Sequence, residues 1–295
     1  MIIQLRHHAL VGLLLALGVQ SADADNHPVT MWEIDGKTNR VFLLGSVHLL
    51  RPADYPIPGV IYSAYEEAEA LIMELDMDDI DALAMQQLVF ELGLMSEGQT
   101  LRDAIGGADF AEAEALALAV GIPMSALTPL EPWLAAVTAE VMILSRIGFD
   151  PAHGIEAHLQ QKAENDGKEI SGLETERQQL EILDGLSADA QREMLMDVLA
   201  DGEQLATIMD DMITAWRNGD IEYLKQELLA EMRDRPELYK SLVVDRNIEW
   251  VQQIEPLLDD ADDYLIIVGA LHLVGEDGLP TLLRESGYSV VQLQE

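Results

Sequence analysis

The chain has 295 residues, 49% of them hydrophobic, with 54 acidic against 17 basic side chains, a formal charge of −37 and no cysteine. That length and apolar content suffice for one large or two modest domains. The charge excludes nucleic acid and anionic lipid surfaces as partners, since both need a basic face, and the missing thiol excludes disulfides, thiolate metal sites and a cysteine nucleophile. Any metal must be held by His, carboxylate and water. Such an excess of like charge also predicts a fold that salt stabilises by screening its self-repulsion.

Residues 1–24 read as a cleavable signal peptide. Arg6, His7 and His8 form a polar start, residues 9–19 are apolar but too short to span a bilayer comfortably, and Ala22-Asp23-Ala24 has the small-x-small form of a cleavage site. The expectation is a cut after Ala24 and a periplasmic or secreted mature chain. No later segment is apolar enough for a membrane span. Residues 25–295 then form one α/β domain with a helical insertion at about 79–147.

Residues 31–34 and 40–44 predict a hairpin around Asp35-Gly36. The second arm is apolar without polar alternation, the mark of a strand buried on both faces, and it runs into Gly45-Ser46-Val47-His48. His48 falls just past the strand's carboxyl end, where open α/β sheets bind ligands. Residues 51–58 are a proline-rich loop, read as a wall or lid of a site. A helix from Pro58 to about Ala70 leads into a second buried strand, 70–76, interrupted by Glu74. A carboxylate there is costly unless paired or bound to a cation; the other reading turns Glu74 outward beside Asp76. Residues 79–147 carry helical periodicity for about four helices, including 109–120 and 132–144, with Met residues in core or pocket walls.

His153-Gly154-Ile155-Glu156-Ala157-His158 opens a helix that runs to about Asp166. Glu156 and His158 are too close in sequence to share a helical face; they receive separate structural roles, with His153 in the preceding loop. A short strand over 169–174 ends at Glu174, either a helix-capping charge or a second acid at a strand end. Residues 176–233 are helical and charged, with breaks near Asp184-Gly185 and Gly219-Asp220. A helix at 237–258 carries Asp245-Arg246-Asn247. The apolar run 264–268 then leads into Gly269-Ala270-Leu271-His272, repeating the strand-GxxH unit of His48. A helix at 278–287 and a strand at 289–293 finish the chain.

Four apolar runs thus end near His48, Glu74, Glu174 and His272, with helices between them. The economical architecture is α/β, with a mixed, partly parallel sheet flanked by many helices. If the strands are neighbours, their ends converge. Two imidazoles and one or two carboxylates match the ligand set of a divalent metal (Mn, Co or Zn) with open positions. His48, His272 and Glu74 are the candidate ligands. Glu74 and Glu174 are the candidate acid–base groups, and Arg246 the candidate contact to a transition-state oxyanion.

At these residues the chain resembles the TraB/GumN family, which is related to the Tiki metalloproteases. The matching pieces are Leu43-Leu44-Gly45-Ser46-Val47-His48, the strand with Glu74, Gly154-Ile155-Glu156, Gly172-Leu173-Glu174-Thr175 with Gln178, Arg246-Asn247 and Gly269-Ala270-Leu271-His272-Leu273. Two GxxH motifs in this order with the Glu and Arg are fairly specific; either alone is not. Where many members have Asp after Gly-Ile this chain has Glu156, and His158 stands where an apolar or aromatic residue is commoner. The resemblance implies a fold like the haem-binding ChaN proteins and the erythromycin esterases, and a divalent-metal site; Tiki members are metal-dependent proteases. The expected function is an exported metal-dependent hydrolase, a peptidase acting on a peptide or small-molecule substrate. The rival expectation is a non-catalytic periplasmic haem, metal or peptide binder on the same fold.

Overall fold

The computed structural model of the chain describes residues 27–76, 79, 81–230, 232 and 235–295. The expected signal peptide lies outside them. The apolar runs form a six-stranded mixed sheet: β1 Pro28–Asp35, β2 Arg40–Ser46, β3 Ala70–Leu75, β4 Glu169–Glu174, β5 Tyr264–Gly269 and β6 Val290–Gln294, in the order β4-β3-β5-β2-β1-β6. The four strands β4, β3, β5 and β2 are mutually parallel, while β1 runs antiparallel to both β2 and β6. This is an α/β fold, as the helix-separated apolar runs require.

The parallel strands lack polar alternation because helices cover both faces. Phe42, Leu44, Leu71, Met73, Leu265 and Ile267 pack into one apolar cluster, and their neighbours Val41, Leu43, Ile72, Ile266 and Val268 into another. The first face is covered by α1 (Gly59–Glu67). Next in the chain come α2 (Ala82–Gly93), α3 (Leu101–Ile105), α4 (Gly107–Ala119), α5 (Met124–Leu127) and α6 (Pro132–Arg146), followed by α7 (Ile155–Asp166). Then come α8 (Glu176–Asp184), α9 (Ala188–Asp201), α10 (Leu205–Arg217), α11 (Ile221–Ala230), α12 (Pro236–Tyr239), α13 (Asp245–Leu257) and α14 (Leu279–Glu285). Helices α7, α10 and α11 join α1 on the first face through Leu159, Ile213, Trp216 and Leu224, whereas α13 and α14 cover the second through Trp250, Ile254 and Leu283. The expected helical insertion does not pack alone: Ala113, Ala136 and Ile143 share a third cluster with Leu195 and Leu199 of α9. Among the described residues no helix is long and apolar enough to cross a membrane.

Sequence periodicity overran some ends. Pro58 precedes α1 as its N-cap rather than opening its first turn. The long helical stretch after 176 also breaks between α9 and α10, near Gly202, besides the two expected places. The proline-rich loop at 51–58 is pinned rather than free. Arg51 pairs with Asp54, Arg217 donates to the carbonyls of Asp54 and Pro56, and the Tyr55 hydroxyl donates to the His153 carbonyl.

Candidate functional site

Parallel register brings the four expected side chains to one edge of the sheet. Ser46 of β2 lies level with Gly269 of β5, and Leu75 of β3 with Glu174 of β4. Glu74 therefore reaches across to β5, where its Oε1 accepts the Gly269 backbone N–H at 2.7 Å. Gly269 has a reason to be glycine: a Cβ there would stand 3.3 Å from both Glu74 Oε1 and His48 Nε2. The space between these two groups is open because that carbon is absent.

His48 follows β2 and faces the start of α7. The helix is drawn in by the Ile155 N–H donating to the Val47 carbonyl and by a bridge between Leu50 and Asp150. Gly154 permits this approach, since a Cβ at that position would lie 2.2 Å from the His48 carbonyl oxygen. The docked first turn delivers Glu156. Its Oε1 lies 2.7 Å from His48 Nδ1 and also takes the Ser46 hydroxyl. The Glu156 side chain is largely buried, while the His48 ring is 60% exposed in the cleft. Glu156 favours the protonated imidazole over the desolvation that opposes it, and raises the His48 pKa to about 10, with Glu74 adding and Arg246 opposing. Burial works against the Glu156 charge, but His48 and the Ser46 hydroxyl hold its pKa below the usual carboxylate range.

The second histidine has different neighbours. Asn247 donates from Nδ2 to the carbonyls of His272 and Asp277, so its Oδ1 faces the His272 ring, 2.7 Å from Nδ1. Nδ1 then carries the proton, and the Nε2 lone pair accepts from Arg246 Nη1 at 2.9 Å. The ring packs on Trp250, with centroids 4.5 Å apart. Burial lowers the His272 pKa to about 3, against the pull of Glu74 and with the help of Arg246.

Arg246 binds the group together. Nε and Nη2 engage Glu174, Nη2 also meets Glu74 Oε2 at 2.6 Å, and Nη1 serves His272 and the Leu242 carbonyl. All five guanidinium N–H groups thus have protein acceptors, and the plane lies over the Trp250 ring. Burial opposes the Glu74 charge, yet His272, Arg246, His48 and the Gly269 N–H hold its pKa at about 2. Glu174 is raised, burial outweighing Arg246, with the Glu74 charge adding to the rise. Gln179 Nε2 lies 3.3 Å from Glu74 and 3.2 Å from Glu174.

His48, Glu74, Glu174, Arg246 and His272 therefore stand together. Several expectations change in detail. Glu174 does not cap α8; Thr175 does, in a capping box with Gln178. Arg246, expected at an oxyanion, has no N–H left over for one in this arrangement. Glu156, assigned a structural role, instead holds His48. Asn247 and Gln179 were not singled out for roles; the Asn beside Arg246 and the Ser at i−2 from His48 were the available signals. His158 does take a structural role, beside the Tyr62 hydroxyl at 3.0 Å.

A divalent metal does not fit the donors as they stand. Glu74 Oε1 and His272 Nε2 are 4.0 Å apart, wider than the ~3.4 Å that two ~2.1 Å bonds span at a tetrahedral ion. The His272 Nε2 lone pair and Glu74 Oε2 are also already engaged by Arg246. Among the described residues no group of three or more His, Asp or Glu is arranged to hold a metal ion.

Three depressions meet at His48. One of about 200 Å³ is shared with Glu74, Glu156 and Gln179; one of about 240 Å³ with Arg246, Gly269 and His272; and one of about 310 Å³ is walled mainly by apolar side chains. No residue from 51 to 58 lines them, so the pinned proline-rich loop is neither wall nor lid here.

The chain is 25% identical to the uncharacterised protein YbaP of Escherichia coli (strain K12) over 247 residues, covering 83% of this chain and 89% of that protein. It is 24% identical to YbaP of Shigella flexneri, covering 82% and 87%, and 26% identical to an uncharacterised protein of Treponema pallidum (strain Nichols), covering 59% and 52%. No solved structure matches it. The model of the TraB/PrgY/gumN family matches residues 30–292, which takes in every side chain of the cleft, and the chain belongs to that family.

Proposed function

We propose that the chain is a hydrolase of amide bonds, a peptidase, that works by acid–base chemistry centred on His48. The observation that carries this is the 2.7 Å contact from His48 Nδ1 to Glu156, with the ring exposed in the cleft and Nε2 turned toward Glu74 and Gly269. A carboxylate on one ring nitrogen orients the imidazole and favours its protonated form, leaving the other nitrogen to exchange protons. In its neutral form His48 Nε2 takes a proton from water. The water oxygen bonds to the substrate carbonyl carbon and the carbonyl pair moves onto its oxygen. As the C–N bond breaks, His48 returns the proton to the leaving nitrogen. Glu74, kept ionised by Arg246, accepts the water's other hydrogen and orients it. Arg246, Glu174, Asn247 and His272 are positioning residues for Glu74. Action outside the cytoplasm is part of this proposal and is supported by the signal-like residues 1–24.

The test is turnover of a quenched fluorescent peptide library by residues 25–295. His48→Ala and Glu156→Gln should each remove turnover while the chain still unfolds in one cooperative transition. Full activity in His48→Ala would overturn the mechanism. If the parent protein cleaves no peptide, the non-catalytic binder becomes the reading. Metal dependence, expected from the sequence, requires Arg246 to release the His272 Nε2 lone pair. Melts with Mn²⁺, Co²⁺ and Zn²⁺ check it: an ion held by the cleft stabilises by ~2.7 kcal/mol at one hundred times its dissociation constant, and the arrangement predicts no such rise.

A further inference from the structure

The apolar depression beside His48 is the part of the cleft that acid–base chemistry does not use. Its floor and sides include Val47, Leu49, Ile213, Leu224 and Leu228, with Glu140 and His48 as its charged members. One wall is rigid. Trp216 Nε1 donates to the Gly45 carbonyl at 2.6 Å, and the Trp216 carbonyl accepts from Thr30 Oγ1 at 2.7 Å, tying α10 to β2 and β1. The same helix presents Met209 and Met212 to the cavity one to two turns before Trp216; they are half-buried and unbranched and adapt to what they meet.

We infer that this cavity is a specificity pocket for one bulky apolar side chain, aromatic or branched aliphatic, on the residue next to the scissile bond. Three observations carry it. His48 borders both this cavity and the polar depressions, so a chain crossing His48 with its carbonyl toward Glu74 has this cavity as the nearest place for an adjacent side chain. The cavity, about 310 Å³ and lined mainly by apolar side chains, has room for a bulky apolar side chain. The charge is selective as well: Glu140 and the net charge of −37 disfavour an acidic side chain, and the His48 ring at the border already has its carboxylate in Glu156. The inference rests on the peptidase reading for the word scissile, but not for the preference in binding.

The test uses Ac-Ala-X-Ala-Ala-amide peptides with X as Phe, Leu, Ala or Asp. Turnover is measured with the parent protein and equilibrium binding with His48→Ala, which needs no catalysis. Phe and Leu should exceed Ala by at least about tenfold in kcat/KM and in affinity, and Asp should fall below Ala. Filling the cavity with Met212→Trp, or with Met209→Trp should the first variant fold poorly, should erase the Phe preference while Ala is still handled. Preference in binding with no turnover of any peptide keeps the pocket and sinks the peptidase. Turnover with no preference, unmoved by the Trp variants, sinks the pocket and keeps the peptidase. Neither turnover nor preference sinks both.

Discussion

The two strand-GxxH units sit side by side on parallel strands and place their imidazoles at one cleft, yet the rings live in opposite surroundings. His48 is exposed, holds a carboxylate on Nδ1 and is pushed toward the cation. His272 is buried, held between an amide oxygen and a guanidinium, and kept neutral. The same local motif thus yields one ring free to move protons and one ring that acts as a strut. What differs is the helix each meets: α7 brings Glu156, and α13 brings Arg246, Asn247 and Trp250. A histidine's role is set by what its second nitrogen touches, more than by the loop that presents it.

The largest expected effect separates the two rings directly. His48→Ala should lower kcat/KM by about 10²–10⁴-fold, with a modest stability loss because Glu156 keeps the Ser46 hydroxyl but loses the imidazole. His272→Ala should act first on stability, because it leaves Asn247 Oδ1 and Arg246 Nη1 buried without their partner, at roughly 1–3 kcal/mol for each group. Peptide turnover and urea unfolding of both variants measure this. Equal stability losses with equal activity losses would erase the distinction.

Next comes the strut itself. Arg246→Lys keeps the charge but cannot reproduce a planar fork serving Glu74, Glu174 and His272 together. Breaking such a buried unit costs on the order of 3–5 kcal/mol, and Lys should recover only part. The urea midpoint should fall at constant m-value; a change under about 0.5 kcal/mol would make Arg246 an ordinary surface residue.

A pH series sharpens the contrast because the two rings shift in opposite senses. The folded pKa of His48 lies above its unfolded ~6.5, so its contribution is complete below about pH 6.5 and fades as pH rises toward its folded value of about 10. Solvent screening keeps that contribution small, since the ring is largely exposed. The folded pKa of His272 lies below its unfolded value. It costs nothing above pH 6.5 and destabilises increasingly as pH falls toward about 3, where the unfolded chain alone takes up the proton. His48→Ala should therefore flatten the alkaline limb of the melting profile and leave the acid limb in place. Turnover, which needs neutral His48, should rise with pH above neutrality.

The smallest effect concerns the rest of the molecule. With a formal charge of −37, added NaCl should raise the melting midpoint by screening repulsion across the surface. The buried Arg246 cluster should be less sensitive, so the loss caused by Arg246→Lys should be nearly the same at low and high salt. A flat salt response in the parent protein would count against the screening argument.

Much of this was legible from residue order alone. Uninterrupted apolar runs at 41–44, 70–73 and 264–268 read as strands covered on both faces, and the helices between them make parallel pairing the economical arrangement. With those strands as neighbours, and the short strand 169–174 beside them, His48, Glu74, Glu174 and His272 come to one edge. Residue order could not say that Glu156 belongs there, because the 3.6-residue period describes faces within α7 and not where its first turn docks. That docking depends on Gly154 lying against the His48 carbonyl oxygen, a contact made only once β2 and α7 have packed. Residue order placed Arg246 with the acids and the imidazole but could not say that every N–H would be engaged, for this depends on how α13 lies across the ends of β3, β4 and β5. Local periodicity determined the strands and their burial; long-range packing decided the surroundings of the two GxxH rings, because a pKa is set by neighbours that sequence distance does not reveal.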